Sequence, residues 1–361
     1  MEFIPQIEPW IDQNELKHLA RLVENRYVVE NQLTLEFEKL VQNQTGAKHV
    51  ISVANGTLAL YCCLKSLNIG PGDEVIVPNL TFIATANSVI MAGATPVFCD
   101  VDKDSMCIDI NQIENYITPK TKAIIPVHLY GNSADLYQIL ELSNKYNLPI
   151  IEDAAQGVGV LYDNKHVGTF GKLGILSYYG NKTITCGEGG IILTDDDNLA
   201  KACYRLKNHG RDKKGVFKHE HIGFNFSFTE MQAAIGISQM EKFDKIAKRK
   251  KEIHDIYVQE LLCVGDLIPQ KFGELVSPIH WFTSFLTQKK SKLSEFLLKS
   301  NIQTRDFFYP LDLQPCYELE PSGKYPQSHY LYDNGISLPS SYNLTNEQQD
   351  YIINKIKNFY N

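Results

Sequence analysis

Long apolar runs are missing from this chain, and no stretch of it is long enough to cross a bilayer as a helix. Its first residues, Met1-Glu-Phe-Ile-Pro-Gln-Ile-Glu, have neither the basic start nor the apolar core of a secretory leader. An excess of positive charge is also lacking: 35 Lys and Arg stand against 42 Asp and Glu, a net charge of −7, which argues against nucleic acid or an anionic membrane as partner. The eight cysteines are scattered, and only Cys62 and Cys63 lie close together; no pair has metal-ligand spacing, so no metal site is expected. They read as reduced thiols in the core of a cytoplasmic protein. Internal repeats and low-complexity linkers are absent as well.

What is present is an ordinary globular composition spread over 361 residues, more than one core usually holds. From about residue 45 to 200, short β-rich runs alternate with helical patterns, as in an α/β protein with a mostly parallel sheet. Strands are expected at His49–Val53, Glu74–Pro78, Pro96–Val101, Ala123–Val127, Pro149–Glu152, Gly174–Tyr178 and Gly190–Thr194. Helices are expected at Gln13–Val23, Gly56–Leu67, Thr85–Ala92, Ile108–Tyr116 and Asp135–Tyr146. A long helix, Thr229–Leu262, carries the basic run Lys245–Lys251 on a face expected to be solvated. The remainder, with β-like runs at Leu275–Thr287 and Ile336–Pro339 and helices at Ser291–Ser300 and Asn346–Phe359, reads as a smaller α+β lobe. The division expected is a large domain over 1–240 and a smaller one over 241–361.

The most informative segment is Ser177-Tyr-Tyr-Gly-Asn-Lys-Thr-Ile-Thr-Cys-Gly-Glu-Gly-Gly190. It places Lys182 between two apolar runs, where partial desolvation lowers an amine's pKa and readies it to attack an aldehyde. Three further features fall at the C-terminal ends of expected strands, the edge where open α/β sheets bind ligands. In Ser52-Val-Ala-Asn-Gly-Thr57, the amides of Gly56 and Thr57 and the Thr57 hydroxyl would take a phosphate at a helix N-terminus. In Ile150-Ile-Glu-Asp-Ala-Ala-Gln156, Asp153 ends a buried strand, where an unpaired carboxylate is costly and a protonated ring nitrogen would be a fitting partner; Gln156 falls on the same side. Phe82, in Thr81-Phe-Ile-Ala-Thr85, is placed to stack on a planar ring. With Ser177 as a further phosphate donor, these are the requirements of pyridoxal 5′-phosphate, in the order of an aspartate-aminotransferase-like chain. Each has an ordinary alternative: a helix cap, a strand end, a core ring, a surface lysine.

At these residues the chain resembles the DegT/DnrJ/EryC1/StrS family of sugar-nucleotide aminotransferases. The shared signatures include Asn55-Gly-Thr, Gly72-Asp-Glu-Val-Ile-Val-Pro78, Gly93-Ala-Thr-Pro96, His128-Leu-Tyr-Gly131, Glu152-Asp-Ala-Ala-Gln156 and Gly187-Glu-Gly-Gly190. Gly180-Asn-Lys-Thr-Ile-Thr and Thr304-Arg-Asp-Phe-Phe-Tyr-Pro310 are most similar to the branch that aminates GDP-4-keto-6-deoxymannose. The resemblance implies a type I fold: a large domain with a mostly parallel mixed sheet flanked by helices, and a smaller α+β domain. It also implies a homodimer with active sites at the subunit interface, Asn225 reaching the neighbour's cofactor phosphate. L-Glutamate would be the amino donor, and Arg305 and Tyr309 would contact the nucleotide sugar. A related 3-dehydratase carries histidine where Lys182 stands, so transamination is favoured over dehydration. Amination of dTDP- or UDP-linked sugars, or at position 3, stays open. Departures occur at Ser227, where the family has arginine, at Asp306, at Asp312 in place of a histidine, and in Tyr27-Val-Val-Glu-Asn-Gln32. His128, His209 and His280 are expected in core or surface roles.

Overall fold

The computed structural model describes residues 2–213, 215–317 and 323–361. Its centre is a sheet of seven strands in the order Thr95–Cys99, Glu74–Pro78, Thr121–Ile124, Ile151–Asp153, Leu173–Ser177, Gly190–Thr194 and His49–Val53. Parallel bridges from Ile124 to Ile150 and from Val127 to Asp153 join its two halves. Gly190–Thr194 alone runs antiparallel to its neighbours. Val75, Ile76, Val77, Ile175, Leu176, Ile191, Ile192 and Leu193 are all fully buried, which is why these strands read as continuous apolar runs: helices cover both faces of the sheet. The helices Gly56–Ser66, Ala84–Ala92 and Asp197–Lys207 pack on one face; Gln32–Thr45 and the start of a long helix pack on the other.

The long helix is Glu230–Leu261, opened by Thr229 and Gln232 in a reciprocal cap. Ala233, Ala234, Ile237 and Ile246 enter the core beneath the large sheet, whereas Ile253, Tyr257 and Leu261 enter the core of the smaller lobe. One helix therefore serves two cores, and position 240 lies inside it. The N-terminal helix Gln13–Asn25 packs along its first half, where Glu15 accepts hydrogen bonds from Ser238 and Gln239 and pairs with Lys242 at 2.6 Å. The expected solvation of the basic run holds for Lys245, Lys248 and Lys251 but not for Lys250. That ammonium is buried and donates to the carbonyls of Trp281 (3.1 Å) and Ser340 (2.9 Å).

The smaller lobe carries an antiparallel sheet of Ile268–Pro269, Thr283–Leu286, Gly335–Leu338 and Arg305–Asp306, backed by Lys290–Lys299 and Asn346–Tyr360. The expected run Leu275–Thr287 is broken into Val276–Ser277 and Thr283–Leu286. Pro278 has no N–H for a ladder, and the chain at Ile279 instead presses on Gly131, where a Cβ would lie 1.8 Å from the Ile279 carbonyl oxygen. This break delivers Trp281 to the large lobe.

Candidate active site

At the C-terminal edge of the large sheet a cavity of about 570 Å³ is lined by the phosphate turn, the residues after Glu74–Pro78, the ends of Ile151–Asp153 and Leu173–Ser177, the lysine loop, and Trp281, Arg305 and Phe308. Of the residues singled out in the sequence, Gly56, Thr57, Phe82, Asp153, Gln156, Ser177, Lys182 and Arg305 line it together. Asn225 and Tyr309 do not. Asn225 is exposed, on the far side of a backbone bridge to Asn208, and Tyr309 is 41% exposed with its ring edge-on to Tyr332.

The phosphate turn is built by Asn55, whose side chain accepts from the amide of Leu58 at 3.0 Å. This cap leaves the Gly56 and Thr57 amides, the first two of the helix, without an internal acceptor. Glycine at 190 is required by the close approach of the antiparallel strand: a Cβ there would sit 2.3 Å from the Asn55 carbonyl oxygen. A Cβ at Gly56 would press on Ser177 at 3.2 Å, so these two positions can share one small ligand group between them.

Asp153 ends its strand with its carboxylate buried, accepting from Thr85 Oγ1 at 2.8 Å and from the Ala155 amide at 3.1 Å. Among the described residues it has no ion pair. Burial raises its pKa, opposed by those two hydrogen bonds and by the charges of Lys182 and His128. A cationic ring nitrogen would relieve that desolvation. Gln156 is fixed beside it, its carbonyl oxygen accepting from the Tyr130 amide at 2.7 Å.

Lys182 sits in a turn closed by its own amide bonding to the Tyr179 carbonyl at 2.9 Å. Burial lowers its pKa to about 8, with Asp153 acting to raise it and Arg305 to lower it. Its Nζ lies 4.3 Å from the centre of the Trp281 ring. Arg305 has no carboxylate partner among the described residues; its guanidinium rests on the rings of Phe282 and Phe308, 5.3 and 6.0 Å from their centres. The donor set therefore matches pyridoxal 5′-phosphate: an acidic group for the ring nitrogen, a helix start with a hydroxyl pair for the phosphate, and an amine whose proton is easily lost.

Thr85 and Trp281 were not assigned from sequence. Thr85 lies three residues beyond Phe82, in the first turn of Ala84–Ala92, and both line the cavity. Trp281, one of only two tryptophans, reaches the site through a contact spanning 100 residues, Nε1 to the Asn181 carbonyl. His128 is buried and pairs with Glu152 at 3.0 Å; neither it, His209 nor His280 lines the cavity. The departures from the family pattern lie outside it too. Asp312 is taken up by Asn79 and His329, and Asp306 is exposed, 3.8 Å from Lys290. The 27–32 segment is clamped by Glu230, whose carboxylate accepts from the Asn31, Leu33 and Thr34 amides.

The sequence profile of the DegT/DnrJ/EryC1/StrS aminotransferase family matches residues 9–357. GDP-perosamine synthase of Escherichia coli O157:H7 is 38% identical over 364 residues, covering 100% of this chain and 99% of that protein. GDP-perosamine synthase of Vibrio cholerae is 36% identical, covering 99% of each. Among solved structures, DesV of S. venezuelae superposes with a TM-score of 0.94 at 29% identity, covering 100% of this chain and 99% of that one. The chain belongs to the DegT/DnrJ/EryC1/StrS aminotransferase family, and it is a sugar aminotransferase that depends on pyridoxal 5′-phosphate.

Proposed function

We propose that the enzyme moves the amino group of L-glutamate onto the 4-keto carbon of GDP-4-keto-6-deoxymannose, making GDP-perosamine for a surface polysaccharide. The observation that carries the chemistry is the cavity in which the Lys182 amine shares one pocket with the buried carboxylate of Asp153, which has no ion pair among the described residues. The choice of sugar nucleotide is supported by full-length likeness to two GDP-perosamine synthases.

Pyridoxal phosphate, when bound, supplies an aldehyde to the lysine and a ring that accepts electrons from the carbon bearing the transferred nitrogen. The chain's own residues do the rest. Gly56, Thr57 and Ser177 would bind the phosphate, Phe82 would cover the ring and Gln156 would border it. Asp153 would keep the ring nitrogen protonated. Lys182 Nζ would be the base that takes a proton from the α-carbon of glutamate and the acid that delivers one to C4 of the sugar; an amine that ionises near pH 8 suits both transfers. Arg305, at the cavity wall and without a carboxylate partner among the described residues, would meet the anionic part of the nucleotide sugar. The net exchange is glutamate and ketone in, 2-oxoglutarate and amine out.

Our reading further holds that the enzyme works in the cytoplasm as a homodimer, with Asn225 completing the neighbour's site. Asn225 is exposed and absent from its own chain's cavity, and the stretch that precedes it exposes Phe217 and Ile222, at 83% and 86%. No helix among the described residues is long and apolar enough to cross a membrane. The test is a panel of GDP-, dTDP- and UDP-linked 4-keto-6-deoxy sugars incubated with glutamate, with products identified by mass and NMR. A 4-amino-4,6-dideoxy product from the GDP-linked sugar is expected. A deoxy sugar without nitrogen, or preference for another nucleotide, would refute the assignment.

A further inference from the structure

The lysine loop is held from two sides. From the large lobe, Ile184 and Cys186 enter the core and the Thr185 amide donates to Gln239 Oε1 at 3.4 Å. Within 178–186 the turn adds Lys182 N to Tyr179 O, Cys186 N to Tyr178 O, and Thr185 Oγ1 to Tyr178 O. None of these hydrogen bonds uses the Asn181 carbonyl, and none sets where the Lys182 side chain points. The contact to Asn181 comes from the smaller lobe. Trp281 is buried, its Nε1–H donates to the Asn181 carbonyl at 2.6 Å, and its ring face lies beneath the Lys182 amine at 4.3 Å. The ring is itself immobilised by Phe282, stacked at 3.9 Å, and by Tyr130 at 6.2 Å. Its backbone carbonyl is held by the buried ammonium of Lys250, whose second acceptor is Ser340.

We propose that Trp281 is a positioning residue for Lys182: through one hydrogen bond it fixes the lysine loop, through its ring it holds the amine in the cavity, and Lys250 fixes it from behind. This rests on the reading of Lys182 as the reactive amine. An indole face attracts an ammonium more strongly than other aromatic rings do, so it favours the charged form against the desolvation of the site. The charged and titratable groups lining the same cavity are Asp153, Tyr179, Glu188 and Arg305. Of these, the charge of Asp153 raises the amine's pKa and that of Arg305 lowers it.

The test uses the full chain freed of cofactor, with two variants. Trp281→Phe keeps a ring and removes the N–H. Amide hydrogen exchange over 180–185 should then accelerate about 2- to 10-fold, the loss of one net hydrogen bond. Trp281→Leu keeps the site apolar and removes the π face. The pH midpoint of Lys182 acetylation, followed by mass spectrometry, should then fall by about half a unit to one unit. Unchanged exchange in the phenylalanine variant overturns the proposal, as does a midpoint in the leucine variant that stays or rises. Should the leucine variant fail to fold, exchange in the phenylalanine variant decides alone. Neither readout depends on turnover or on the identity of the sugar, so an enzyme that aminated a different nucleotide sugar would leave both expectations in place.

Discussion

His329 Nε2 lies 3.0 and 2.9 Å from the two carboxylate oxygens of Asp312. The imidazole comes from the helix Pro326–Asn334, and Asp312 is not among the residues that line the cavity. Asn79 completes the arrangement: its Nδ2 donates to Asp312 at 2.7 Å and its Oδ1 accepts the Asp312 amide at 2.9 Å. Asp312 is an internal tie between the residue after Glu74–Pro78 and the helix Pro326–Asn334.

Asp312→Ala should therefore act on stability rather than on substrate. Leaving the Asn79 amide unpaired in a buried place costs about 1–3 kcal/mol. The double exchange, Asp312→His with His329→Asp, should recover a good part of that loss. Thermal melts of the two singles and the double would show it, with KM for the nucleotide sugar near the native value throughout. A large KM effect in Asp312→Ala would place the residue in substrate binding after all.

Lys182→Ala should remove the visible absorbance of the lysine-bound cofactor and reduce turnover by at least ~10²–10⁴-fold, the usual worth of a positioned acid–base group. Asp153→Asn should retain the absorbance but lose on the order of 10²–10³-fold in turnover, since it withdraws charge stabilisation and leaves the covalent link. Equal loss of absorbance in both variants would contradict the separate roles.

The rings of His254 and His280 stack at 3.8 Å, buried, with no partner for either Nδ1 among the described residues. Burial lowers the first to about 4, and burial with the nearby His254, Lys251 and Lys250 lowers the second to about 3, from 6.5. Between pH 6.5 and those values the unfolded chain binds more protons than the folded one, so stability falls as pH falls. From pH 6.5 to 5 the loss should be about 1–2 kcal/mol per ring. Urea melts at pH 7, 6 and 5 should show a shallower decline when both are replaced by phenylalanine.

Lys250 acts on the alkaline side of the profile and in the same direction. Its pKa is lowered by burial from 10.5 to about 7, with no carboxylate beside it among the described residues. Below pH 7 the ammonium is present in both states and its burial cost is fully borne. Above pH 7 the unfolded chain holds the extra proton, and stability should climb by about 1 kcal/mol per pH unit. Lys182 joins only above its own value of about 8. Denaturant melts at pH 7 and 8 should show this rise in the native enzyme and its absence in Lys250→Met.

The strands of the large sheet and the ends of its site were legible because both faces of each strand are covered, leaving plain apolar runs such as Val75–Val77. Asp153 and Ser177 are the last residues of theirs. The long helix was legible to within a residue at each end. The helix Gln32–Thr45 was not anticipated, although Leu33, Phe37 and Val41 recur every four residues. Lys250 and Trp281 were hidden for a different reason. A basic run reads as surface, and a tryptophan in a β-like segment reads as core, until tertiary contact brings one chain segment across to another. The sequence-local signals, caps and apolar periodicity, mark where elements begin and which side faces inward, but not which distant segment they meet.

The helix Glu230–Leu261 has a consequence for how the polypeptide comes into being. Because its first turns complete one interior and its last turns complete the other, an expressed fragment ending near 240 would keep Ala233, Ala234 and Ile237 in the larger interior but lose Ile246. A fragment beginning there would keep Ile253, Tyr257 and Leu261 but not the turns that tie them to the large lobe. Synthesis from the ribosome must therefore run past Ile246, well beyond the lysine segment, before the larger interior is complete.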